Sequence, residues 1–226
     1  MQLWMDTIDF DVIEDAARLG ILTGVTTNPT ILAGSDKEPE IVIRKLLDVQ
    51  PGMVAVQTTE TELLPIVKQA CRIAKISKRL IIKIPAMNDG FRAIPILEKE
   101  GVPTLATTIY ETRQIVLASM LGATYAAPYL DKIETATGDG FGVLSDAQHI
   151  LSREQSRTKI MGAAIVNARQ FSSCANIGIG AITLPADVYR ELFSSNEHME
   201  SSLSAFNSAW TSNDLTYQSH LFKQHQ

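Results

Sequence analysis

Short apolar runs alternate with longer segments in which apolar residues recur every three or four positions, from one end of the chain to the other. The short runs predict buried strands, and the three-to-four spacing predicts amphipathic helices. The predicted strands are Leu3–Asp6, Gly24–Asn28, Met53–Thr58, Leu80–Pro85, Pro103–Thr108, Tyr125–Leu130, Lys159–Ile165 and Ala181–Pro185.

Helical patterns follow these strands and predict the fold class. They include Ile13, Ala16 and Ala17 before Gly20, residues 63–74, residues 91–97 before Gly101, residues 143–151 and residues 187–193. About eight strand–helix units predict an α/β protein with a single (β/α)8 TIM barrel, and a doubly wound open sheet is the alternative. No Ser-, Gly- or Pro-rich linker interrupts the pattern, so we expect one domain over residues 1–226.

An additional C-terminal helix and tail are predicted from about residue 195. Met199, Leu203, Phe206 and Trp210 would share one face of this helix. A neighbouring subunit or the base of the barrel itself could cover such a face.

Composition excludes several kinds of partner. The net charge is −5 and 45% of residues are hydrophobic, without a basic cluster that would attract nucleic acid or an anionic membrane. No apolar run approaches the ~20 residues of a membrane helix, and residues 1–6 do not resemble a signal peptide. We therefore expect a cytoplasmic protein that acts on a small molecule.

Common cofactor and metal motifs are missing. Gly138–Gly142 lacks the spacing of a dinucleotide fingerprint and is predicted to be a loop. Cys71 and Cys174 lie in helical segments and are expected to be reduced and buried. No metal site is predicted, because no ligand cluster accompanies His149, His198, His220 or His225.

The fourth predicted strand carries the most informative residue, Lys83, at the centre of an apolar run. A strand covered on both faces buries this lysine, and burial disfavours the charged ammonium. A neutral amine attacks carbonyl carbons and forms Schiff bases. The alternative is a structural lysine that extends its charged end into water.

Polar residues at the ends of neighbouring strands support the catalytic interpretation, because the strand carboxyl ends form the active-site face of such barrels. A carboxylate steadies an iminium, a phenol relays protons, and amides and hydroxyls bind a polyol. The candidates are Asp6, Thr26, Asn28, Gln57, Thr107 and Tyr129.

Several of these candidates also have a structural interpretation. Thr26 could simply be a good strand former. Asp6 could cap a helix, although Thr7 and Asp9 are equally well placed. Asn28 before Pro29 could mark a helix start, and Tyr129 could be a core aromatic.

Taken together, Gly24–Thr30 (GVTTNPT) and Ile82–Pro85 (IKIP) resemble the transaldolase family, in its small subgroup. Further likenesses are Gly101–Leu105, Ala127–Tyr129 and Ile182–Pro185. The resemblance implies a (β/α)8 barrel with a Schiff-base lysine on strand four and neither a metal nor an organic cofactor.

Within that family, transaldolases carry glutamate on strand three and phenylalanine on strand six, whereas fructose-6-phosphate aldolases carry glutamine and tyrosine. This chain has Gln57 and Tyr129 and so is most similar to the aldolases. The resemblance implies cleavage of fructose 6-phosphate to dihydroxyacetone and glyceraldehyde 3-phosphate, or the reverse addition. It also implies a homo-oligomer, a decamer built from pentamers, in which the C-terminal helix reaches a neighbour.

The same resemblance implies a role for each site residue. Lys83 forms the iminium, and Tyr129 is the acid and base, acting with a water held by Gln57 and Thr107. Asp6 and Asn28 hold the donor hydroxyls, and Thr26 lines the pocket. At the phosphate end the chain departs from the family, with Lys132 for an arginine, Ala164 for a serine and Val166 for a basic residue.

Two other functions remain open. A transaldolase would pass the three-carbon unit to an aldose phosphate rather than release it. A non-catalytic sugar-binding barrel is disfavoured, because a buried amine without a function is costly.

Overall fold

The computed structural model describes residues 1–212, whose strands form a closed parallel barrel. Each strand pairs with the next, and β1 pairs with β8. The predicted TIM barrel is confirmed, and the open sheet is excluded. The strands are β1 (Gln2–Met5), β2 (Leu22–Thr26), β3 (Met53–Gln57), β4 (Leu80–Pro85), β5 (Thr104–Ile109), β6 (Tyr125–Pro128), β7 (Lys159–Gly162) and β8 (Ala181–Leu184).

The predicted strands are all present, but most end earlier than predicted. β4 has the predicted bounds. The prediction for β7 extends to Ile165, but the strand ends at Gly162, and Ala164 shortly after it leaves the extended conformation with a left-handed φ of 54°. β6 ends at Pro128, because the chain turns into a helix after Tyr129.

Helices follow the strands along the chain, with two helices instead of one after β2, β6 and β8. They are α1 (Phe10–Arg18), α2 (Pro29–Ala33), α3 (Pro39–Val49), α4 (Leu63–Ala74), α5 (Asn88–Lys99), α6 (Thr112–Met120), α7 (Leu130–Thr137), α8 (Gly140–Arg153), α9 (Ala168–Ile177), α10 (Ala186–Leu192) and α11 (Glu197–Thr211).

The glycine-rich stretch is only partly the predicted loop, because α8 already begins at Gly140. Gly138 ends α7 in the left-handed conformation, with φ 73°. A Cβ at Gly140 would lie 2.9 Å from the Leu130 side chain, so this glycine allows α7 and α8 to pack closely.

Apolar side chains pack on both faces of the sheet and hold the barrel together. One cluster lies between the sheet and the surrounding helices and includes Ile13, Leu46 and Val54. The other fills the barrel interior, where the rings of Trp4 and Tyr125 meet edge to face with centroids 5.4 Å apart. This apolar layer closes the barrel interior below the polar residues at the carboxyl ends of the strands.

The cysteines are both free, as expected, but only Cys174 is buried. Burial raises the pKa of the Cys174 thiol to about 12, which makes it a poor nucleophile. Cys71 is partly exposed, so the expectation of burial is wrong for it.

No helix within residues 1–212 is both long and apolar enough to span a bilayer. The same residues contain no group of three His, Cys, Asp or Glu side chains that could hold a metal ion. His220 and His225 lie outside the described residues.

The chain divides into two compact units, Met1–Glu191 and a second unit that begins at Leu192. The second unit contains the additional helix α11, on which Met199, Leu203 and Phe206 are 58 to 71% exposed. The tail beyond Ser212 lies outside the described residues, and a single domain over 1–226 stays a prediction.

Candidate active site

Lys83 lies on β4 with only 6% of its surface exposed, which confirms the expected burial. Its side chain lines a cavity of about 210 Å³ at the carboxyl ends of the strands. Among residues 1–212 its Nζ forms neither a hydrogen bond nor an ion pair, so the amine has no protein partner to leave before it reacts. The other predicted site residues that line this cavity are Asp6, Thr26, Asn28, Thr107, Tyr129 and Lys132.

A short hydrogen-bond chain joins β1, β2 and β8 on one side of the cavity. The Thr26 hydroxyl donates to Asp6 Oδ1 at 2.6 Å and lies 2.8 Å from Thr183 Oγ1. Because the only proton on Thr26 Oγ1 goes to the carboxylate, Thr183 donates to Thr26. These hydrogen bonds fix one carboxylate oxygen of Asp6 and leave the other oxygen available to a ligand in the cavity.

Two helices, α1 and α2, begin close to these hydrogen-bonded residues, and their N-termini show which polar side chains act as caps. Asp9 caps α1 by accepting a hydrogen bond from the Val12 amide at 3.4 Å, so Asp6 is not needed for that purpose. Asn28 does cap α2, accepting from the Ile31 amide at 2.9 Å. The cap uses the amide oxygen of Asn28 and leaves its NH2 group to bind a ligand.

Tyr129 closes the opposite side, directly after β6. Its Oη lies 3.0 Å from Thr107 Oγ1. The Tyr110 ring meets the Tyr129 ring edge to face, with centroids 5.7 Å apart. The phenol is therefore oriented by a hydroxyl at its tip and by an aromatic ring at its side.

Lys132 stands in the first turn of α7, with its Nζ 4.7 Å from the centre of the Tyr129 ring. This is the range of a cation–π contact. Ala164 also lines the cavity at this end, and the nearby Val166 is 50% exposed. Lys132 is thus the only basic side chain besides Lys83 among the described residues that line the cavity.

Gln57 is the one predicted site residue that does not line the cavity. It is the register partner of Lys83 in the β3–β4 pairing. Neighbouring residues in register point to the same side of a parallel sheet, so the side chains of Gln57 and Lys83 share the inner face. Its catalytic role stays a prediction.

Sequence reasoning missed Thr183 and Tyr110. Thr183 lies near the carboxyl end of the apolar run that forms β8, which is the kind of position that identified Thr26 on β2. Tyr110 lies beyond the end of β5, and the pattern of apolar residues gives no indication that its ring reaches Tyr129.

An amine, a carboxylate and a phenol around one cavity can carry out Schiff-base chemistry. The amine adds to a carbonyl carbon, the carboxylate steadies the positive iminium, and the phenol exchanges protons with a substrate hydroxyl. The hydroxyl and amide groups of Thr26, Asn28 and Thr107 suit a polyhydroxylated substrate.

Comparison with known proteins shows the family and the fold of the chain. The family model of transaldolase/fructose-6-phosphate aldolase matches residues 3–224. Among solved structures, a protein of Coccidioides immitis assigned as a fructose-1,6-bisphosphate aldolase superposes with a TM-score of 0.56 at 12% identity, covering 81% of this chain and 73% of that one.

A flavocytochrome b2 variant with benzoylformate superposes with a TM-score of 0.55 at 10% identity, covering 84% of this chain. This chain spans 57% of that protein's length. At such low identities both structures show a shared barrel fold and nothing finer.

Proposed function

The chain belongs to the transaldolase/fructose-6-phosphate aldolase family of Schiff-base aldolases and transaldolases, and we propose that it is a class I aldolase acting on fructose 6-phosphate. The observation that carries the proposal is the buried Lys83 amine, which opens into a cavity shared with Asp6 and Tyr129. Tyr129 and Gln57, at positions where transaldolases of the family differ, favour release of a free three-carbon product over its transfer.

In the proposed reaction the Lys83 amine adds to C2 of fructose 6-phosphate, and loss of water gives an iminium. Tyr129 takes the proton of the C4 hydroxyl, directly or through a water held by Thr107 and Gln57. The C3–C4 bond then breaks, glyceraldehyde 3-phosphate leaves, and the bonding electrons form an enamine on the remaining three carbons. The relay returns the proton to C3, and hydrolysis of the iminium releases dihydroxyacetone and restores the amine.

Asp6 and Asn28 would hold the donor part of the substrate. The Asp6 carboxylate is oriented by Thr26, whose hydroxyl donates at 2.6 Å, and its negative charge stabilises the nearby iminium. The Asn28 NH2 group, not used by the α2 cap, can donate to a donor hydroxyl.

Two measurements test the proposal. Sodium borohydride with fructose 6-phosphate should add the mass of a reduced substrate adduct to Lys83 and to no other residue. Product analysis without an acceptor should show free dihydroxyacetone accumulating. Turnover that requires erythrose 4-phosphate would identify a transaldolase instead, and a protein that binds the sugar without labelling would be a non-catalytic sugar-binding barrel.

The phosphate end of the cavity leads to a prediction on acceptor choice. Lys132 offers a point charge where an arginine fork would bind phosphate bidentately, and Ala164 offers no hydroxyl. Ala164→Ser should raise the preference for glyceraldehyde 3-phosphate over glyceraldehyde about tenfold, since one hydrogen bond to a charged group contributes about 1.5 kcal/mol or more. The measurement is kcat/KM for both aldehydes.

Lys132→Arg is the companion variant and should shift the preference in the same direction. A wild-type preference above about a thousandfold that neither substitution changes would mean that other groups bind the phosphate. Backbone amides at the start of α9 would then be the first alternative.

We also propose that the protein is a homo-oligomer, a pentamer or decamer, in which the apolar face of α11 contacts a neighbouring copy. Support comes from the exposure of Met199, Leu203 and Phe206 and from the family resemblance. Removing the residues after Ser195 should lower the mass of the assembly or the melting temperature, because this apolar area loses its cover. Light scattering and thermal melting measure the two effects.

A substitution at full length sharpens this test. Phe206→Glu should have the same effect as the truncation, whereas Ser208→Glu, on the opposite side of the helix, should leave the assembly intact. Unchanged mass and melting temperature in the truncated protein would contradict the proposed contact.

We further propose that the protein is located in the cytoplasm and that residues 1–226 form a single domain.

A further inference from the structure

A single buried glutamine holds the loop that follows β5. Gln114, in the first turn of α6, accepts hydrogen bonds from the amides of Tyr110 at 2.9 Å and Glu111 at 3.2 Å. It donates to the carbonyls of Ala86 at 2.9 Å and Thr108 at 3.1 Å. All four bonds go to backbone, so the side chain ties the end of β4 to the β5–α6 loop.

The end of β5, which Gln114 also holds, is strained. Thr108 has φ 60°, a left-handed conformation that is unfavourable for a β-branched residue. The β5–β6 register shifts at this point, between Ala106 and Ile109, as in a β-bulge. Such a conformation persists only where surrounding contacts enforce it, and Gln114 bonds directly to the Thr108 carbonyl.

The bulge sets the surroundings of Tyr129. It places the Thr107 hydroxyl 3.0 Å from the Tyr129 hydroxyl. The next residue held by Gln114, Tyr110, packs its ring against Tyr129. Both groups that orient the phenol therefore depend on a backbone segment fixed by Gln114.

We infer that Gln114 is a positioning residue, which makes the Tyr129 proton relay effective by enforcing the bulge at Thr107 and Thr108. This inference rests on the proposed function, since it assumes that Tyr129 moves protons to and from the substrate. Gln114 does not line the cavity and touches no reacting atom.

A second glutamine occupies an equivalent position after β7, where it also holds a segment with a left-handed residue. Residues 107–114 read TTIYETRQ and residues 163–170 read AAIVNARQ. Gln170 is buried, accepts from the Val166 amide at 3.0 Å, and follows the left-handed Ala164 at the spacing that separates Gln114 from Thr108. Its donor goes to Asp131 Oδ1 at 3.1 Å. Because this segment carries alanines where β5 carries Thr107 and Thr108, it brings no hydroxyl to Tyr129.

Gln114→Met and Gln170→Met are therefore matched variants, since each keeps the length of the side chain and removes its hydrogen bonds. The assay uses dihydroxyacetone alone, so phosphate binding does not enter. Iminium formation is read from borohydride labelling of Lys83. Proton transfer is read by NMR from the exchange of donor C–H hydrogen for deuterium in D2O, because the iminium must lose a carbon-bound proton to become the enamine.

We expect Gln114→Met to lower the exchange rate about tenfold or more while Lys83 labelling stays within about twofold of wild type, since small displacements of a catalytic group are costly. Gln170→Met should lower the melting temperature about as much as Gln114→Met does, but it should keep the wild-type exchange rate. Thr108→Asn in the Gln114→Met background should recover most of the exchange, because asparagine tolerates the left-handed conformation. If Gln114→Met does not fold, Gln114→Glu, which lacks the two donors, takes its place.

Equal losses of exchange in both glutamine variants, or a parallel loss of labelling and exchange in Gln114→Met, would assign Gln114 to stability alone. Wild-type exchange in Gln114→Met would overturn the inference directly. Wild-type protein that shows neither labelling nor exchange would instead refute the proposed function, so the two failures are distinguishable.

Discussion

Lys83→Met is expected to abolish turnover of fructose 6-phosphate, to the limit of detection, and to leave the barrel folded. The lysine is the only nucleophile proposed for the reaction, and without an amine no iminium forms. Methionine has a similar length and no charge, so it fits among the apolar neighbours on β4 without creating a cavity. Steady-state rates and a melting curve measure the two effects.

The same variant should lose borohydride labelling in the presence of dihydroxyacetone. Lys132→Met is the matched control, because Lys132 is a second amine that lines the same cavity. We expect full labelling of Lys83 in that control. Labelling that survives in Lys83→Met, or that moves to Lys132 in the wild type, would end the assignment of the Schiff base to Lys83.

The sequence was sufficient to predict the barrel, because strands covered on both faces read as continuous apolar runs. β4 is such a run, and its predicted bounds agree with the structure. Lys83 interrupts it with an ionisable group that has to be buried, and this conflict between position and chemistry is the reason the sequence predicts a function for it. Family resemblance then supplied roles for neighbours such as Asp6 and Tyr129, which apolar periodicity alone does not distinguish from caps and core residues.

Strand ends and loops were less predictable, for a physical reason. Residues at the mouth of the barrel leave the sheet to cap helices or to adopt left-handed conformations, and both depend on tertiary partners. Thr108 shows this well, because threonine favours extended strands and yet has φ 60°. Gln114, which holds it there, lies in a helical segment where a glutamine attracts no notice.

The site also shows why one side of the cavity differs chemically from the other. The Asp6 side is a chain of hydroxyls ending on a carboxylate, suited to a donor with several hydroxyls. The Tyr129 side combines a phenol with the Lys132 ammonium over its ring. Proton transfer is therefore expected on the β6 side and recognition of donor hydroxyls on the β1–β2 side.

This division leads to the second large effect. Tyr129→Phe should reduce cleavage of fructose 6-phosphate by roughly 100-fold or more, the usual contribution of a general acid–base group. Phenylalanine keeps the ring between Tyr110 and Lys132 and removes only the hydroxyl that lies 3.0 Å from Thr107 Oγ1. Iminium formation at Lys83 should decline much less than release of glyceraldehyde 3-phosphate. Rapid-quench measurement of both steps separates them.

Tyr110→Phe provides the control for Tyr129→Phe, since it removes the hydroxyl of the adjacent ring and preserves the edge-to-face contact. Its cleavage rate should stay within about twofold of wild type, because the Tyr110 hydroxyl forms no hydrogen bond within residues 1–212. Equal losses in both variants would point to ring packing rather than proton transfer. A wild-type cleavage rate in Tyr129→Phe would mean that the phenol only packs against its neighbours, and that another group moves the proton.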